Sequence, residues 1–491
     1  MNNLLELVYA HDLATWSEVA EKAFSELFGS GTGRYAERAR KSVQIRAPKF
    51  RGDDENVPFA TLIEPSNPTS GPYGGMSVGL FPVNDAPCLI ALGTGTTGLH
   101  PDESILARPG HARKAKAICE AINRREKRFA AWAKHDPTRN DQPIPENVAS
   151  SFEAYGGPLK RYGKDVHAIY KPTDDREAAS FALKALLDLY FEERGHSPLA
   201  QHKEEAEAIR SEYFRYLMPD VSADEVGQIL DQRRFVVLEG PPGTGKTRTA
   251  LELLRSKYQG RGLSIQFHPN TTYENFVGGL APAATQGEIG FRFQPMMGQL
   301  MRAAIHSAEA KPHPFLLHVD EINRADLSKV LGEAVMLLEY DAEPRTITLP
   351  YDFGPPFNDT FSLPTNLHIL GTMNSADRSI AIVDVAIRRR FAFVKLWPQF
   401  SVVQQFKSVL AEEAYQRLLS VFTEHASDEA FSLMPGHSYF ITKDGKDKTA
   451  LRSLRVNLLP LLDEYLAQGY VTSLADHIRG YCQWVHSLKV D

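Results

Sequence analysis

Cysteine is scarce in this chain, and the little that is present forms no pattern. Cys88, Cys119 and Cys482 lie far apart, with no accompanying histidine spacing. That excludes a disulfide framework or a zinc site built on paired cysteines, and a reducing, cytoplasmic compartment is expected. No apolar run reaches the ~18 residues of a membrane-spanning helix. The first residues carry Glu6 and Asp12 where a secretory leader has a basic start and a long apolar core, so no leader is expected. A surplus of positive charge is also missing: 55 Lys and Arg against 61 Asp and Glu leave a net charge of −6. A uniformly basic nucleic-acid binder is thereby excluded, and any DNA contact has to come from a local patch. What remains is 491 residues, 43% hydrophobic and 24% charged. That is globular composition, with enough chain for about two to four domains.

Against this background one segment stands out. Residues 240–247 read Gly-Pro-Pro-Gly-Thr-Gly-Lys-Thr, after the apolar run 235–238 and before a helical stretch. This is G-x-x-x-x-G-K-[ST] in the strand-to-helix context that a phosphate-binding loop needs. Gly240, Gly243 and Gly245 let the backbone curl so that successive amide N–H groups point inward at phosphate oxygens, and Pro241, Pro242 and Thr244 complete the expected nucleotide-binding loop. The N-terminus of the following helix adds its partial positive charge. Lys246 can reach the β- and γ-phosphates, and the Thr247 hydroxyl can ligate Mg²⁺.

A second block follows the apolar run 314–319, read as a buried parallel strand: Asp320-Glu321-Ile322-Asn323-Arg324-Ala325. A carboxylate at a strand tip beside a phosphate loop, Asp320, can hold the metal, while the next, Glu321, can orient and deprotonate water. A third block follows another expected central strand, 368–372. It reads Met373-Asn374-Ser375-Ala376-Asp377-Arg378-Ser379, then Asp384 and Arg388-Arg389-Arg390-Phe391. Asn374, on a strand between the two preceding elements, fits a contact to the γ-phosphate or the attacking water. Arg388 and Arg389 follow a short helix, and a planar, permanently charged guanidinium suits a phosphoryl group gaining charge. That such an arginine reaches into a neighbouring subunit's site is what the cluster's resemblance to oligomeric AAA+ machines implies. A basic helix end that complements its own dipole is the plainer reading of the same residues.

Residues 320–325, 373–379 and 386–391 together resemble the McrB-type branch of AAA+ proteins. Ser375 stands where that family usually has Thr. Gln266-Phe267-His268-Pro269 with Tyr273-Glu274-Asn275-Phe276-Val277-Gly278-Gly279 is similar to a further family segment, from which Asn270 and Asn275 depart. Gly436-His437-Ser438-Tyr439-Phe440 and Leu459-Pro460-Leu461-Leu462-Asp463-Glu464-Tyr465 resemble its helical lid, so the likeness spans residues 230–470. It implies an α/β fold, an AAA+ P-loop core with a parallel sheet and an α-helical lid, preceded by a smaller α+β domain. It also implies Mg²⁺-dependent hydrolysis of GTP or ATP, a hexameric or similar ring, and a separate McrC-like endonuclease subunit in restriction and antiphage defence. No guanine-reading N-K-x-D element lies near the loop, so the base stays open between the two nucleotides. Gly290-Phe291-Arg292-Phe293 before Gly298-Gln299-Leu300 suggests a hairpin leading into a helix.

The first third holds the basic patches. Arg34, Arg38, Arg40, Lys41, Arg46, Lys49 and Arg51 crowd one segment; Arg108, Arg113, Lys114, Lys116, Arg124, Arg125, Lys127 and Arg128 crowd another, read as a helix over 113–132. Charge runs are commonly solvated faces. Short runs at 57–63, 76–81 and 88–92, broken by a Pro/Gly/Ser-rich turn, read as strands, and 181–190 reads as an amphipathic helix closing the domain. This order resembles the family's N-terminal DNA-binding domain, with Tyr35-x-x-Arg38 opening the first strand, Asn56-Val57-Pro58-Phe59 and 74–81 following, and Tyr162-Gly163-Lys164 before the closing helix. The resemblance implies that Arg38, Arg46, Lys49 and Phe59 face DNA, with a modified cytosine flipped into an aromatic pocket. Phe59 stands where the family often has Trp and fits a core position more readily than a pocket one.

The expected organisation is a DNA-binding domain over 1–195, a helical linker without repeats or low complexity over 196–225, the NTPase core over 226–395 and the lid over 396–491. Two other functions share these motifs. A MoxR-like chaperone would remodel proteins and need no basic N-terminal domain. A nucleotide-gated DNA-binding scaffold would have no use for the acid at Glu321.

Overall fold

Short apolar runs between glycine and proline turns become strands in the first third of the chain, while the longer periodic segments become helices. The computed structural model describes all residues except 11–12, 30, 49–56, 69–73, 97–101, 285–290, 340–343, 377–384 and 490–491. They divide into two units, residues 1–219 with 423–427, and residues 220–422 with 428–491.

The first unit is built on six strands: β1 (Gln44–Arg46), β2 (Ala60–Ile63), β3 (Gly74–Phe81), β4 (Leu89–Thr96), β5 (Ala131–Ala133) and β6 (Val166–Tyr170). Their spatial order is β1-β2-β3-β4-β6-β5, and every neighbouring pair is antiparallel. The helices Pro109–Glu126, Arg176–Glu192 and Lys203–Leu217 pack on one another in this unit. Asp175 starts the second of them by accepting hydrogen bonds from the Glu177 and Ala178 amides, both at 3.0 Å, which satisfies two otherwise orphaned donors.

Two expectations are corrected here. The helix expected over 113–132 starts at Pro109 and stops at Glu126, because Lys127 turns left-handed at φ 54°. The Asn123 carboxamide oxygen then accepts from the Ala130 and Ala131 amides, each at 2.7 Å, which folds the chain back so that Ala131–Ala133 can pair as β5. Tyr35-x-x-Arg38 does not open the first strand: Tyr35 is fully buried, its hydroxyl donates to Asp188 at 2.6 Å, and Arg38 lies on the short helix Glu37–Arg40. In the 196–225 segment, expected as a connecting helix plus the entry into the motor, the helix Lys203–Leu217 buries Ile209, Tyr213 and Leu217 in the first unit, and Ala223–Arg233 starts the second.

The second unit carries β7 (Phe235–Gly240), β8 (Gly262–Gln266), β9 (Gly278–Ala284), β10 (Phe291–Met297), β11 (Phe315–Asp320), β12 (Thr346–Thr348), β13 (Thr360–Ser362), β14 (Leu367–Asn374) and β15 (Ala392–Lys395). Five of them form a wholly parallel sheet in the order β15-β7-β14-β11-β8. Both faces are covered. Phe235, Val237, Leu317, Val319 and Ile369 meet one core with Leu300, Met301 and Ala304 of the helix Gln299–Glu309. Val236, Leu238, Leu316 and Leu370 meet the other, with Val226 and Leu230 of one helix and Ala250 and Leu253 of the helix Lys246–Arg255. Burial on both sides is why these strands read as continuous apolar runs instead of alternating ones. The expected hairpin is the antiparallel pair β9–β10, and it leads into Gln299–Glu309. Beyond β15 the chain is helical, including Val409–His425, Leu459–Ala467 and Ala475–Ser487. No described helix is long and apolar enough to cross a membrane.

One core contact carries a pH prediction. His368 of β14 is buried, with Nδ1 2.6 Å from the Tyr258 hydroxyl. Burial pushes its imidazole from the usual 6.5 down to about 4, helped by Arg234 and Lys257 and opposed by Asp231. The unfolded chain therefore binds a proton that the folded one does not. The resulting stability is fully present above pH 6.5 and lost as pH falls towards about 4. Urea unfolding midpoints should drop through that window, and H368Q should drop less. Equal slopes in the two proteins would remove His368 as a contributor.

Candidate active site

The phosphate loop begins where β7 ends, and its shape follows from its glycines. Gly243 and Gly245 adopt φ of +84° and +87°, a region that other residues enter only at a cost. Gly240 has no room for a side chain either, since a Cβ there would stand 2.3 Å from the Leu396 carbonyl oxygen. The helix Lys246–Arg255 leaves the loop directly, so its free amide donors face the loop's cavity. Lys246 is 7% exposed, and its Nζ donates to the carbonyls of Gly240 and Pro241, both at 2.9 Å. The Thr244 hydroxyl donates to the Pro241 carbonyl at 3.1 Å. Burial pushes the Lys246 ammonium down to about 8, although Glu321 and Asp320 pull it the other way.

The sheet order brings the remaining residues to the same edge. β14 runs parallel to β7 with Asn374 opposite Gly240, and it pairs on its other side with β11, which ends in Asp320. The Thr247 hydroxyl donates to Asp320 Oδ1 at 2.9 Å, and the Thr372 hydroxyl donates to the same oxygen at 2.5 Å. Asn374 Nδ2 donates to Glu321 Oε1 at 2.8 Å, and Arg324 Nε stands 3.3 Å from Oε2. Glu321 itself sits in the left-handed region at φ 51°, ψ 46°. That conformation costs of the order of 1–3 kcal/mol for a non-glycine residue and is held only where neighbours over-determine it. The Glu321 amide donating to the Thr372 hydroxyl at 3.2 Å is one such constraint.

Lys246, Thr247, Asp320, Glu321 and Asn374 are thus gathered at one end of the sheet. A hydroxyl beside a carboxylate is a donor set for a small hard cation, with phosphate oxygens and water completing its shell. Two residues went unread in the sequence. Thr372 is a lone hydroxyl in an apolar strand. Arg324 lies three residues after Glu321, a spacing that returns it to that carboxylate.

The arginines divide. Arg390 is 9% exposed, with Nη1 donating to the Ala386 carbonyl at 2.7 Å and Nη2 3.4 Å from Glu339. Arg388 and Arg389 are exposed, and the Arg388 guanidinium lies 4.9 Å from the Phe393 ring centroid. Among the described residues, neither of these two is bonded to Asp320, Glu321 or Asn374 of its own chain. Asp377, Arg378, Ser379 and Asp384 lie outside the described residues.

The N-terminal candidates are placed differently from one another. Arg38 is exposed. Arg46 is 7% exposed, with its guanidinium 3.6 Å from the Phe59 ring centroid and Nη1 donating to the Phe59 carbonyl at 2.6 Å. Phe59 is buried against Phe81 and Tyr162, each with ring centroids 5.1 Å away. In this arrangement Phe59 is a core residue and Arg46 its cover. Lys49, like Arg51 and Asn56, lies outside the described residues. The basic runs contain structural pairs as well: Arg34 donates to Asp188 at 2.7 Å, and Lys114 meets Glu193 at 2.7 Å.

Residues 235–391 match the AAA domain (dynein-related subfamily). The chain is 31% identical over 350 residues to the type IV methyl-directed restriction enzyme EcoKMcrB subunit of Escherichia coli (strain K12), covering 66% of this chain and 75% of that one. It is 28% identical over 191 residues to the type II restriction enzyme BsuMI component YdiS of Bacillus subtilis (strain 168), covering 32% of this chain and 55% of the relative. Among solved structures, a putative ATPase from Cytophaga hutchinsonii aligns at 16% identity and a TM-score of 0.24, over 38% of this chain and 49% of that one. NtrX from Brucella abortus aligns at 14% identity and a TM-score of 0.23, over 57% of this chain and 59% of its own.

Proposed function

This chain belongs to the McrB-like AAA NTPases of restriction systems, and from that we propose that it is a ring-forming motor which hydrolyses GTP or ATP, recognises DNA through residues 1–195, and drives an McrC-like endonuclease. The observation that carries the reading is the meeting of Lys246, Thr247, Asp320, Glu321 and Asn374 at the ends of three adjacent parallel strands. Each has a task in the proposed reaction. Lys246 exchanges its two carbonyl partners for the β- and γ-phosphates, and the loop amides hold the remaining oxygens. Thr247 and Asp320 would hold Mg²⁺. When bound, that ion neutralises charge building on the phosphate oxygens. Glu321 takes a proton from the attacking water, and Asn374, already hydrogen-bonded to that carboxylate, orients it. Arg388 or Arg389 enters the site of the adjacent subunit. The DNA recognised is expected to carry a modified base, and Arg38 is exposed among the described candidate contacts.

Replacing Lys246 with alanine should remove detectable triphosphate binding, read by titration with fluorescent GTP and ATP analogues. Binding as tight as the wild type's would mean that the loop is not the working site. In the wild type, competition between GTP and ATP in one hydrolysis assay identifies the nucleotide used.

A further inference from the structure

One polar side chain lies inside the five-stranded sheet where its neighbours along the strand are apolar. β11 reads Phe315-Leu316-Leu317-His318-Val319-Asp320, and His318 is 1% exposed. Side chains alternate along a strand, so Leu316, His318 and Asp320 share one face. It is the face against the helix Lys246–Arg255: Leu316 packs with that helix's Ala250 and Leu253, and Asp320 accepts from its Thr247. β8 lies beside β11 with Ser264 opposite His318, and the Ser264 hydroxyl stands 2.8 Å from Nδ1. At the other end of the ring, Nε2 is buried and has no hydrogen-bond partner among the described residues. It stands 3.9 Å from Asp320 Oδ1.

The tautomer follows from what each nitrogen faces. A hydroxyl can donate or accept, so Ser264 suits either form of Nδ1. Nε2 has no such choice. An unprotonated nitrogen there would turn its lone pair towards a carboxylate oxygen, whereas an N–H is attracted by it. The neutral ring therefore carries its hydrogen on Nε2, and Ser264 donates to Nδ1. A charged ring would carry the same hydrogen, so the donor does not depend on titration. At 3.9 Å that N–H makes no hydrogen bond. The reason lies at Oδ1, which already accepts from the Thr247 hydroxyl at 2.9 Å and the Thr372 hydroxyl at 2.5 Å, one for each of its lone pairs. A buried donor left unpaired costs free energy, and in a folded protein it calls for an explanation.

We infer that His318 is a positioning residue for Asp320: when Thr247 leaves that carboxylate to ligate the metal, His318 Nε2–H closes on the lone pair that Thr247 vacates. This rests on the reading of Thr247 and Asp320 as the holders of Mg²⁺ and deepens it. The exchange keeps two donors on Oδ1 in both states, so Asp320 stays in place as one of its partners departs. The filled site also gains a hydrogen bond to a charged group that the empty site lacks, which favours binding. A strand buried on both faces is ordinarily apolar throughout. A leucine at this position would thus suit the sheet and supply no donor.

The test uses full-length protein and measures the Mg²⁺ concentration that half-saturates binding of a non-hydrolysable fluorescent GTP or ATP analogue, whichever the wild type binds more tightly. In H318L that concentration should rise ~10–100-fold, the span for a hydrogen bond to a charged group. H318Q can place an amide N–H near the position of Nε2 and should recover most of the loss. H318N, too short to reach Asp320, should behave as H318L does. A wild-type Mg²⁺ requirement in H318L, or equal requirements in H318Q and H318N, overturns the assignment. T247A is run alongside to separate the two readings: if it raises the Mg²⁺ requirement while H318L does not, only the histidine's role falls. If T247A leaves the requirement unchanged, or wild-type binding does not depend on Mg²⁺, the reading of the metal's holders falls and this one with it.

Discussion

A chain with Arg388 or Arg389 replaced by alanine should bind nucleotide as the wild type does and hydrolyse it ~10³–10⁵-fold more slowly, the value of an arginine supplied in trans. The argument starts from the neighbouring arginine. Arg390 is committed to its own subunit through Ala386 and Glu339. Arg388 and Arg389 are exposed and, among the described residues, unattached to their own chain's acidic pair. A guanidinium that completes another subunit's site makes turnover depend on assembly, so specific activity should rise with protein concentration and level off once rings are complete. Mixing either arginine variant with K246A chains gives the sharper result. Neither has activity alone, yet in a mixed ring an intact loop on one subunit meets an intact arginine on the next, and part of the activity should return. Mixed rings confirmed by mass with no recovery at any ratio would mean the arginine acts in cis. Concentration-independent turnover by a monomer would end the ring proposal.

E321Q should hydrolyse nucleotide ~10²–10⁴-fold more slowly with unchanged binding, the usual span for a lost general base. The change is a narrow one. A glutamine in this position still offers an oxygen to Asn374 Nδ2, 2.8 Å away in the wild type, so the site's geometry is retained while the proton acceptor is lost. The charge pairing with Arg324 at 3.3 Å is lost too, but that arginine is 44% exposed, so screening leaves the change little effect on stability. Nucleotide affinity by titration and turnover by phosphate release separate the two effects. Turnover equal to the wild type's would take Glu321 out of the mechanism, and a parallel loss of affinity would reassign it to binding or metal placement.

How much of this was legible beforehand depended on the distance between the residues concerned. The phosphate loop is a local device. Its turns at Gly243 and Gly245 and the helix that follows are specified by eight consecutive residues, so motif and geometry coincide. Strands buried on both faces are likewise readable as short apolar runs, and a parallel sheet was accordingly expected; its five-stranded order came from the structure. The N-terminal basic run was harder, because a row of arginines does not say which of them points inward. Arg34 pairs with Asp188 and Arg46 lies over Phe59. Each is decided by a partner supplied from elsewhere in the chain.

The sequence by itself determined the candidate reacting groups: Lys246, Thr247, Asp320 and Glu321 stand out because triphosphate chemistry would need those side chains at that local spacing. Tertiary structure alone decided what surrounds them. Thr372 reaches Asp320 only because β14 is laid between β7 and β11, and His318 meets Ser264 only because β8 is laid beside β11. It also decided that Arg390 is buried while Arg388 and Arg389 are exposed. The physical reason is that backbone conformation and helix or strand period are short-range properties of a chain. Burial, charge pairing and the tautomer of a histidine are set by whichever distant groups packing brings alongside.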